Sequence, residues 1–264
     1  MQQFPFWQQQ LLDKPLFPDV EWNRPEQRSL AGRLSIIGGN KLGFSGVAEA
    51  YSAALKAGVG EAKVLLPDAL KKTVPPTVLD AQFASSNLSG GFSREALNDI
   101  RAIADWGSAV LLIGDNGRSS ETAIVYDDFI RDYSGWLTLT RDSIDLLRQS
   151  YPTIVEREKT LFVASFAQVQ KLFQGVYYPK VLTFSMQLAQ FVDALHKFTI
   201  THPVTILTLH KDTLIIAHDG KVITQNWQNP MAIWRGTVAT RAASYLLWTP
   251  EKPLEAIATS IYQS

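Results

Sequence analysis

The chain has 264 residues, 46% of them hydrophobic and 19% charged, a composition that suits one large globular domain or two small ones and excludes a disordered, collagen-like or disulfide-stapled chain. Its 25 basic residues balance its 25 acidic ones, so the positive field that non-specific nucleic-acid binding uses is missing. With no cysteine present, thiolate nucleophiles, Cys-ligated zinc and iron–sulfur clusters are excluded, and any chemistry falls to Asp, Glu, His, Lys, Ser or Thr.

The N-terminus carries neither a basic run nor an apolar stretch of signal-peptide or membrane-spanning length, which reads as a cytoplasmic protein without a membrane segment. Residues 1–31 mix Pro5, Pro15, Pro18 and Pro25 with Phe4, Phe6, Trp7, Phe17 and Trp22, too proline-broken for a long helix and too aromatic for a disordered tail. This predicts an extended arm against its own body or against a second subunit, the former favoured. Residues 32–264 then alternate short apolar runs with helical stretches, the pattern of one α/β domain with a mostly parallel sheet.

In chain order, strands are predicted at 33–37, 62–66, 109–113, 136–139, 160–163 and 204–209. Helices are predicted at 45–57, at 93–104 with Ser93 as cap, and at 119–133, 142–150, 166–173, 186–198 and 236–247, and the run 254–262 closes the chain. The runs 211–217 and 221–225, joined by His218-Asp219-Gly220, predict a hairpin.

In open α/β sheets ligands sit outside the carboxyl ends of the strands, so the loops there are where chemistry belongs. The loop Gly38-Gly39-Asn40-Lys41-Leu42-Gly43-Phe44-Ser45-Gly46 offers glycines for close backbone approach and Ser45 as the cap of a helix whose positive end can face an anion. Asp115, Asp142 and Asp212 follow strands, where a capping or solvated-turn role is the commoner use of such carboxylates. The four histidines, His196, His202, His210 and His218, are dispersed rather than spaced as paired zinc ligands. Hydrolase-elbow, P-loop and dinucleotide-binding glycine motifs are lacking, and the aromatics show none of the basic interleaving of a base-stacking platform.

The run GRLSIIGGNKLGFSGVAEAYSAALKAGVGEAKVLLPDAL resembles the opening of the ADP- or ATP-dependent NAD(P)H-hydrate dehydratases of the ribokinase-like superfamily. There a strand leads to a Gly-Gly/Ser loop, Tyr-Ser-Gly-Ala and a helix ending in Lys/Arg-x-Gly-x-Gly. Gly38, Gly39, Phe44, Ser45, Gly46, Lys56, Gly58 and Gly60 match those features, with Phe44 in the tyrosine's place. The resemblance extends from about Gly32 to Tyr262 and implies a three-layer αβα sandwich. VLLIGDNGRSS stands for the Ile-Gly-Pro-Gly-Leu-Gly loop and keeps Gly114 and Gly117; LTLTRDSIDLL stands for Ile-Asp-Ala-Asp-Ala-Leu-Asn-Leu-Leu, with Thr140 for the first acid and Asp142 keeping the second. Ala164 to Gln168 replace Leu-Thr-Pro-His-Pro-Gly-Glu without retaining its polar residues, and Lys211 falls on the Lys-Gly/Ser motif.

Register from the closing KPLEAIATSIY places Gly236 and Thr237 on the family's Gly-Asp, whose amides form an anion hole and whose aspartate is the base for phosphoryl transfer. Threonine cannot serve as that base at neutral pH, and Trp234 and Arg235 bring bulk where the family keeps small residues, so the anion hole is expected to be obstructed. Arg235 could instead hold a phosphate without turnover, together with Lys211, Gly236 and Thr237.

The resemblance implies a substrate site at Gly38, Gly39, Asn40, Ser45, Gly46, Gly114, Asp115 and Asp142, ATP or ADP with magnesium if the chain is active, and a homo-oligomer. Two readings remain open: a non-catalytic ribokinase-fold protein that holds a nucleotide or NAD(P)-like ligand or acts as a scaffold, and an active dehydratase or small-molecule kinase using a relocated acid. The missing aspartate favours the first.

Overall fold

A computed structural model describes residues 4–75 and 80–262; residues 1–3 of the expected arm, residues 76–79 and the last two residues lie outside the described set. The chain begins with β1 (Trp7–Gln10), β2 (Arg33–Gly38), α1 (Ser45–Ala57), β3 (Glu61–Pro67), β4 (Ala81–Ala84), α2 (Leu97–Trp106), β5 (Ala109–Gly114), α3 (Ser120–Asp132) and β6 (Trp136–Thr140). It continues through α4 (Asp142–Leu146), α5 (Tyr151–Ile154), β7 (Thr160–Ser165), α6 (Phe166–Gly175) and α7 (Leu188–Thr201). The last elements are β8 (Thr205–His210), β9 (Thr213–His218), β10 (Lys221–Asn226), α8 (Pro230–Arg235), α9 (Thr237–Trp248) and α10 (Pro253–Tyr262).

The strands form one ten-stranded sheet in the order β1-β10-β9-β8-β7-β6-β5-β2-β3-β4, in which β9 alone among the described strands runs against the rest. The central strands β5 and β6 are buried at every residue, as expected when helices cover both faces and each side chain must be apolar or satisfied. One face is packed by α1, α8, α9 and α10, the other by α2 to α7. Among the described residues no helix is long and apolar enough to cross a membrane.

Two features position the site. The chain runs outward from β2 to β3 and β4, then returns to the other side of β2 as β5, so the crevice outside the carboxyl ends of β2 and β5 is the topological switch point. Residues 4–31 lie on the body of their own chain. Their strand β1 pairs with β10, and buried Gln10 donates from Nε2 to Gln225 Oε1 at 2.7 Å and to the Ala258 carbonyl at 2.8 Å.

Several expected boundaries move. Ser93 makes no side-chain cap; a 3₁₀ turn at Arg94–Ala96 precedes α2, and Ser93 Oγ donates to Glu95 instead. The single helix expected at 142–150 is split into α4, a 3₁₀ turn and α5, with Pro152 at the start of α5. β1, β4 and α8 fall where no element was expected.

Candidate functional site

At the switch point the loops after β2 and β5 touch through glycines. Gly39 N–H donates to the Gly114 carbonyl at 2.9 Å, and a Cβ on Gly38 would stand 2.5 Å from that same oxygen, so neither strand end tolerates a side chain there. Gly114 turns at φ +105°, and a Cβ on it would meet Asp142 Oδ1 at 2.3 Å. This closeness lets Asp142, the first residue of α4, accept from Asp115 N–H at 2.7 Å and from Asn116 N–H at 3.0 Å. Burial pushes the Asp142 carboxyl above its usual range, while those two amides and Arg141 pull it back. Tyr126, fully buried, donates its hydroxyl to Asn116 Oδ1 at 2.8 Å and is held well above the usual phenol range, chiefly by burial and then by Asp142.

The start of α1 corrects the expectation that Ser45 caps it. Phe44 occupies the cap position without a side-chain bond, and exposed Ser45 is the first helical residue. The carboxylate that meets this positive helix end is Asp115, whose Oδ2 accepts from Gly46 N–H at 2.7 Å. Its Oδ1 is ion-paired with Arg141, the two side chains being 16% and 22% exposed, which shields the pair from water more than a surface bridge. Arg141 in turn donates from Nη1 to the Arg235 carbonyl at 3.2 Å. A Cβ on Gly46 would lie 2.6 Å from Arg141 Nη1, so a side chain there would displace the guanidinium from Asp115. Arg141 at φ 56°, ψ −142° and Asp115 at φ 58° both hold backbone conformations that L side chains rarely adopt. An intramolecular carboxylate and guanidinium thus occupy the crevice where an anionic ligand group would meet α1.

At the other side of the crevice, α8 ends in Gly236 at φ +90°, from which α9 starts. A Cβ on Gly236 would stand 2.4 Å from Ile113 Cδ1 and 3.4 Å from Arg141 Cδ. Thr237 Oγ1 donates to the Ala232 carbonyl at 2.9 Å. Arg235 and Thr237 line a groove between α1 and α9, not the strand-end cleft. Trp234, 65% exposed, stands with Ile233 at the wall of the cleft. Of the two bulky residues expected to obstruct the site, Trp234 thus stands at the cleft wall and Arg235 at the groove, and the Arg141 side chain also lies against Gly236.

The cleft itself encloses about 450 Å³ between Asp115, Thr140, Arg141, Asp142, Asp145, Val163, Ser165, Gln168, Ile233 and Trp234. Of the residues singled out from sequence, Asp115 and Asp142 line it, and Gly38, Gly39, Gly46, Gly114 and Gly236 shape the backbone around it. Asn40 is absent from its lining: it donates from Nδ2 to the Ser89 carbonyl in the segment before α2 and accepts from Leu42 N–H in its own loop. Lys211 sits exposed at φ 57° in the turn between β8 and β9 and is absent from the cleft's lining. The residues sequence reasoning missed are Arg141, Asp145, Ser165 and Gln168. Ser165 and Gln168 form a reciprocal cap on α6, and Gln168 Nε2 donates to Asp145 and to the Arg141 carbonyl, each at 2.8 Å. Their Ser-x-x-Gln spacing after a strand was the available signal.

Chemically, the carboxylates here are engaged: Asp115 by an amide and a guanidinium, Asp142 by two amides, Asp145 by Gln168 and Lys171. Thr140 Oγ1, in the place of the family's first acid, donates to the Val163 carbonyl at 3.0 Å. At the start of α9, Gly236 and Thr237 supply no carboxylate to stand beside a nucleotide with magnesium, and the Thr237 hydroxyl is bonded to the Ala232 carbonyl.

No protein-family model matches the chain, and no curated protein matches it in sequence. Among solved structures it is similar to a ribokinase-like superfamily protein from Enterococcus faecalis, 17% identical, with a TM-score of 0.71 over 99% of this chain and 88% of that one. It is also similar to the ADP/ATP-dependent NAD(P)H-hydrate dehydratase of Bacillus subtilis co-crystallised with ATP/Mg2+ and soaked with CoA, 11% identical, with a TM-score of 0.61 over 94% and 86% of the two chains. A phosphomethylpyrimidine kinase from Clostridium difficile is 10% identical, with a TM-score of 0.52 over 88% and 99%. At such identities the likeness speaks to the fold, and it agrees with the mostly parallel sheet between two helical layers: this chain has the ribokinase-like fold.

Proposed function

We propose that this chain is a degenerate relative of the NAD(P)H-hydrate dehydratases that holds a nucleotide or NAD(P)-like ligand at its strand-end cleft and does not transfer a phosphoryl group. The observation that carries the reading is the start of α9. Phosphoryl transfer is mostly positioning and charge stabilisation, plus one group that takes the acceptor's proton. Residue 237 is a threonine whose hydroxyl is spent on the Ala232 carbonyl, and its side chain faces the groove beside α1. No acid lies between Gly220 and Glu251 in the sequence, so a one-residue slip in register does not restore the base.

The competing reading, an active lyase or kinase with a relocated acid, would draw on Asp115, Asp142 or Asp212. The first two have both carboxylate oxygens engaged, and Asp212, in the turn after β8, accepts from Thr213 Oγ1 at 3.3 Å. Asp142 is the best placed of them, since burial raises its affinity for a proton, but that proton would have to displace the loop amides it holds.

The test combines calorimetry with ATP, ADP, AMP and NADPH and a steady-state assay on hydrated NADPH with ATP or ADP and magnesium. Binding of one of these ligands without phosphate release is expected. Phosphate release at a family-like rate would overturn the reading, and absence of all binding at millimolar concentration would leave a scaffold role.

A further inference from the structure

Trp234, on α8, is 65% exposed and lines the strand-end cleft together with buried Val163 and Ile233. No hydrogen bond or ring contact ties its indole to another described residue. Trp7, Trp227 and Trp248, by contrast, each donate their indole N–H, to Thr224 Oγ1, the Asn229 carbonyl and the Ala31 carbonyl. A large aromatic face left bare beside a cleft of about 450 Å³, within the range of small-molecule sites, gains from being covered by a flat ligand group.

The polar wall of the cleft has the opposite surplus from the one a phosphate needs. Three carboxylates, Asp115, Asp142 and Asp145, line it with the single guanidinium of Arg141. Counting Lys171, which pairs with Asp145 from outside the lining, still leaves the acids in excess. The neutral donors are spent, Thr140 Oγ1 on the Val163 carbonyl and Gln168 Nε2 on Asp145 and the Arg141 carbonyl. Arg141 is divided between Asp115 and the Arg235 carbonyl. An ionised carboxylate has about four acceptor sites, and Asp142 gives two hydrogen bonds' worth to loop amides. The cleft therefore offers acceptors to hydroxyl and amino groups and disfavours added negative charge.

We infer that the cleft takes the nucleoside end of its ligand, with the aromatic base against Trp234, the sugar hydroxyls toward the carboxylates and any phosphates left outside. This rests on the cleft reading above and adds which end of the ligand enters. Stacking on an aromatic face holds a base without reading its identity, and a carboxylate is a ready acceptor for ribose hydroxyls. Asp142 and Asp145 are the acceptors, since Asp115 is committed to Gly46 N–H and Arg141.

The experiment is calorimetric titration of the whole chain with adenosine and nicotinamide riboside, each beside its monophosphate, and with ADP. It is repeated on Trp234→Leu, Trp234→Tyr, Asp145→Asn and Trp22→Leu, the last at a tryptophan that is 86% exposed and does not line the cleft. The side chains of Trp234 and Asp145 are exposed to solvent, so melting temperatures close to the parent's are expected and serve as the folding control. At least one nucleoside is expected to bind, no more weakly than its monophosphate. Trp234→Leu should weaken it about tenfold, Trp234→Tyr should retain most of the affinity, and Trp22→Leu should leave it unchanged. Asp145→Asn, which removes a lining charge and frees Lys171, should shift preference toward the monophosphate by about threefold or more. A nucleoside bound more weakly than its monophosphate, or equally by the parent and Trp234→Leu, would overturn the inference and leave the cleft reading standing. ADP binding with neither nucleoside bound would do the same, and no binding of any probe at millimolar concentration would overturn both.

Discussion

Where β2 and β5 end, a Cβ on Gly38 would strike the Gly114 carbonyl and one on Gly114, at φ +105°, would strike Asp142, and Asp142 holds the loop they form. Where α9 starts, Gly236 keeps its turn, yet the residue after it has a hydroxyl turned away from the cleft. The crevice backbone is thus fixed by packing, while the side chains of Asp115, Arg141, Asp142 and Thr237 are engaged within the chain. Geometry enforced by packing survives as long as the fold does, because each glycine is also a folding requirement. A proton acceptor exposed to a ligand carries no such constraint.

The sharpest way to break this contrast is at Gly114. Gly114→Ala combines a positive φ with a 2.3 Å clash against Asp142 and should cost about 3 kcal/mol or more in denaturant unfolding. Gly43→Ala, with nothing within 4 Å of its added methyl, should stay within about 0.5 kcal/mol. Comparable losses in the two variants would deny that the crevice backbone is specifically enforced.

Next in size is Asp142→Ala, which orphans the Asp115 and Asn116 amides and should cost about 2–4 kcal/mol. Asp142→Asn, which keeps one acceptor oxygen, should cost about half that. The Arg141–Asp115 pair offers a finer cut. Arg141→Ala and Arg141→Gly both remove the guanidinium, but only glycine relaxes the φ 56°, ψ −142° backbone. The Gly variant is therefore expected to be more stable than the Ala variant by about 1 kcal/mol or more. Equal stabilities would show that the conformation is not retained for that pair.

Much of this architecture was legible in the sequence and part was not, for identifiable reasons. The buried strands read as apolar runs because both of their faces are covered, and α1 could be placed at 45–57 from its alanine periodicity and its terminal Gly58, which turns at φ +100°. β1 was illegible because Trp-Gln-Gln-Gln is an edge strand held through amide side chains rather than apolar ones. α8 has six residues after Pro230 and leaves little periodicity to read. In the site, glycine positions were visible because their spacing is dictated by the chain, whereas Arg141 was not: a lone arginine after a strand gives no hint that it will reach Asp115 and the Arg235 carbonyl, 94 residues away in sequence. Arg235 was singled out for its charge, but its direction depends on α8, which the sequence did not announce.

Smaller effects sharpen the α9 side. Thr237→Asp places an acid at a helix N-terminus, a gain of about 0.3–1 kcal/mol, and forfeits the bond to Ala232, so its stability should change by less than about 1 kcal/mol. It should not confer phosphate release, because its side chain lines the groove rather than the cleft. The smallest expected signal is from His218, whose proton affinity is lowered chiefly by burial, with Lys221 adding to the effect and Asp219 opposing it. Its unfolded form binds a proton below about pH 6.5 more readily than its folded form, so stability present above that pH is lost as pH falls through the lowered folded value. His218→Gln should flatten that stretch of the stability profile, and an unchanged slope would refute the assignment.

Mixing a molar excess of the protein with hydrated NADPH, magnesium and ATP or ADP, and following restored NADPH absorbance through a single turnover, addresses the start of α9 with the least ambiguity. The account predicts no conversion above the protein-free background, because nothing beside Gly236 accepts the hydroxyl proton. Stoichiometric conversion of the hydrate would contradict it.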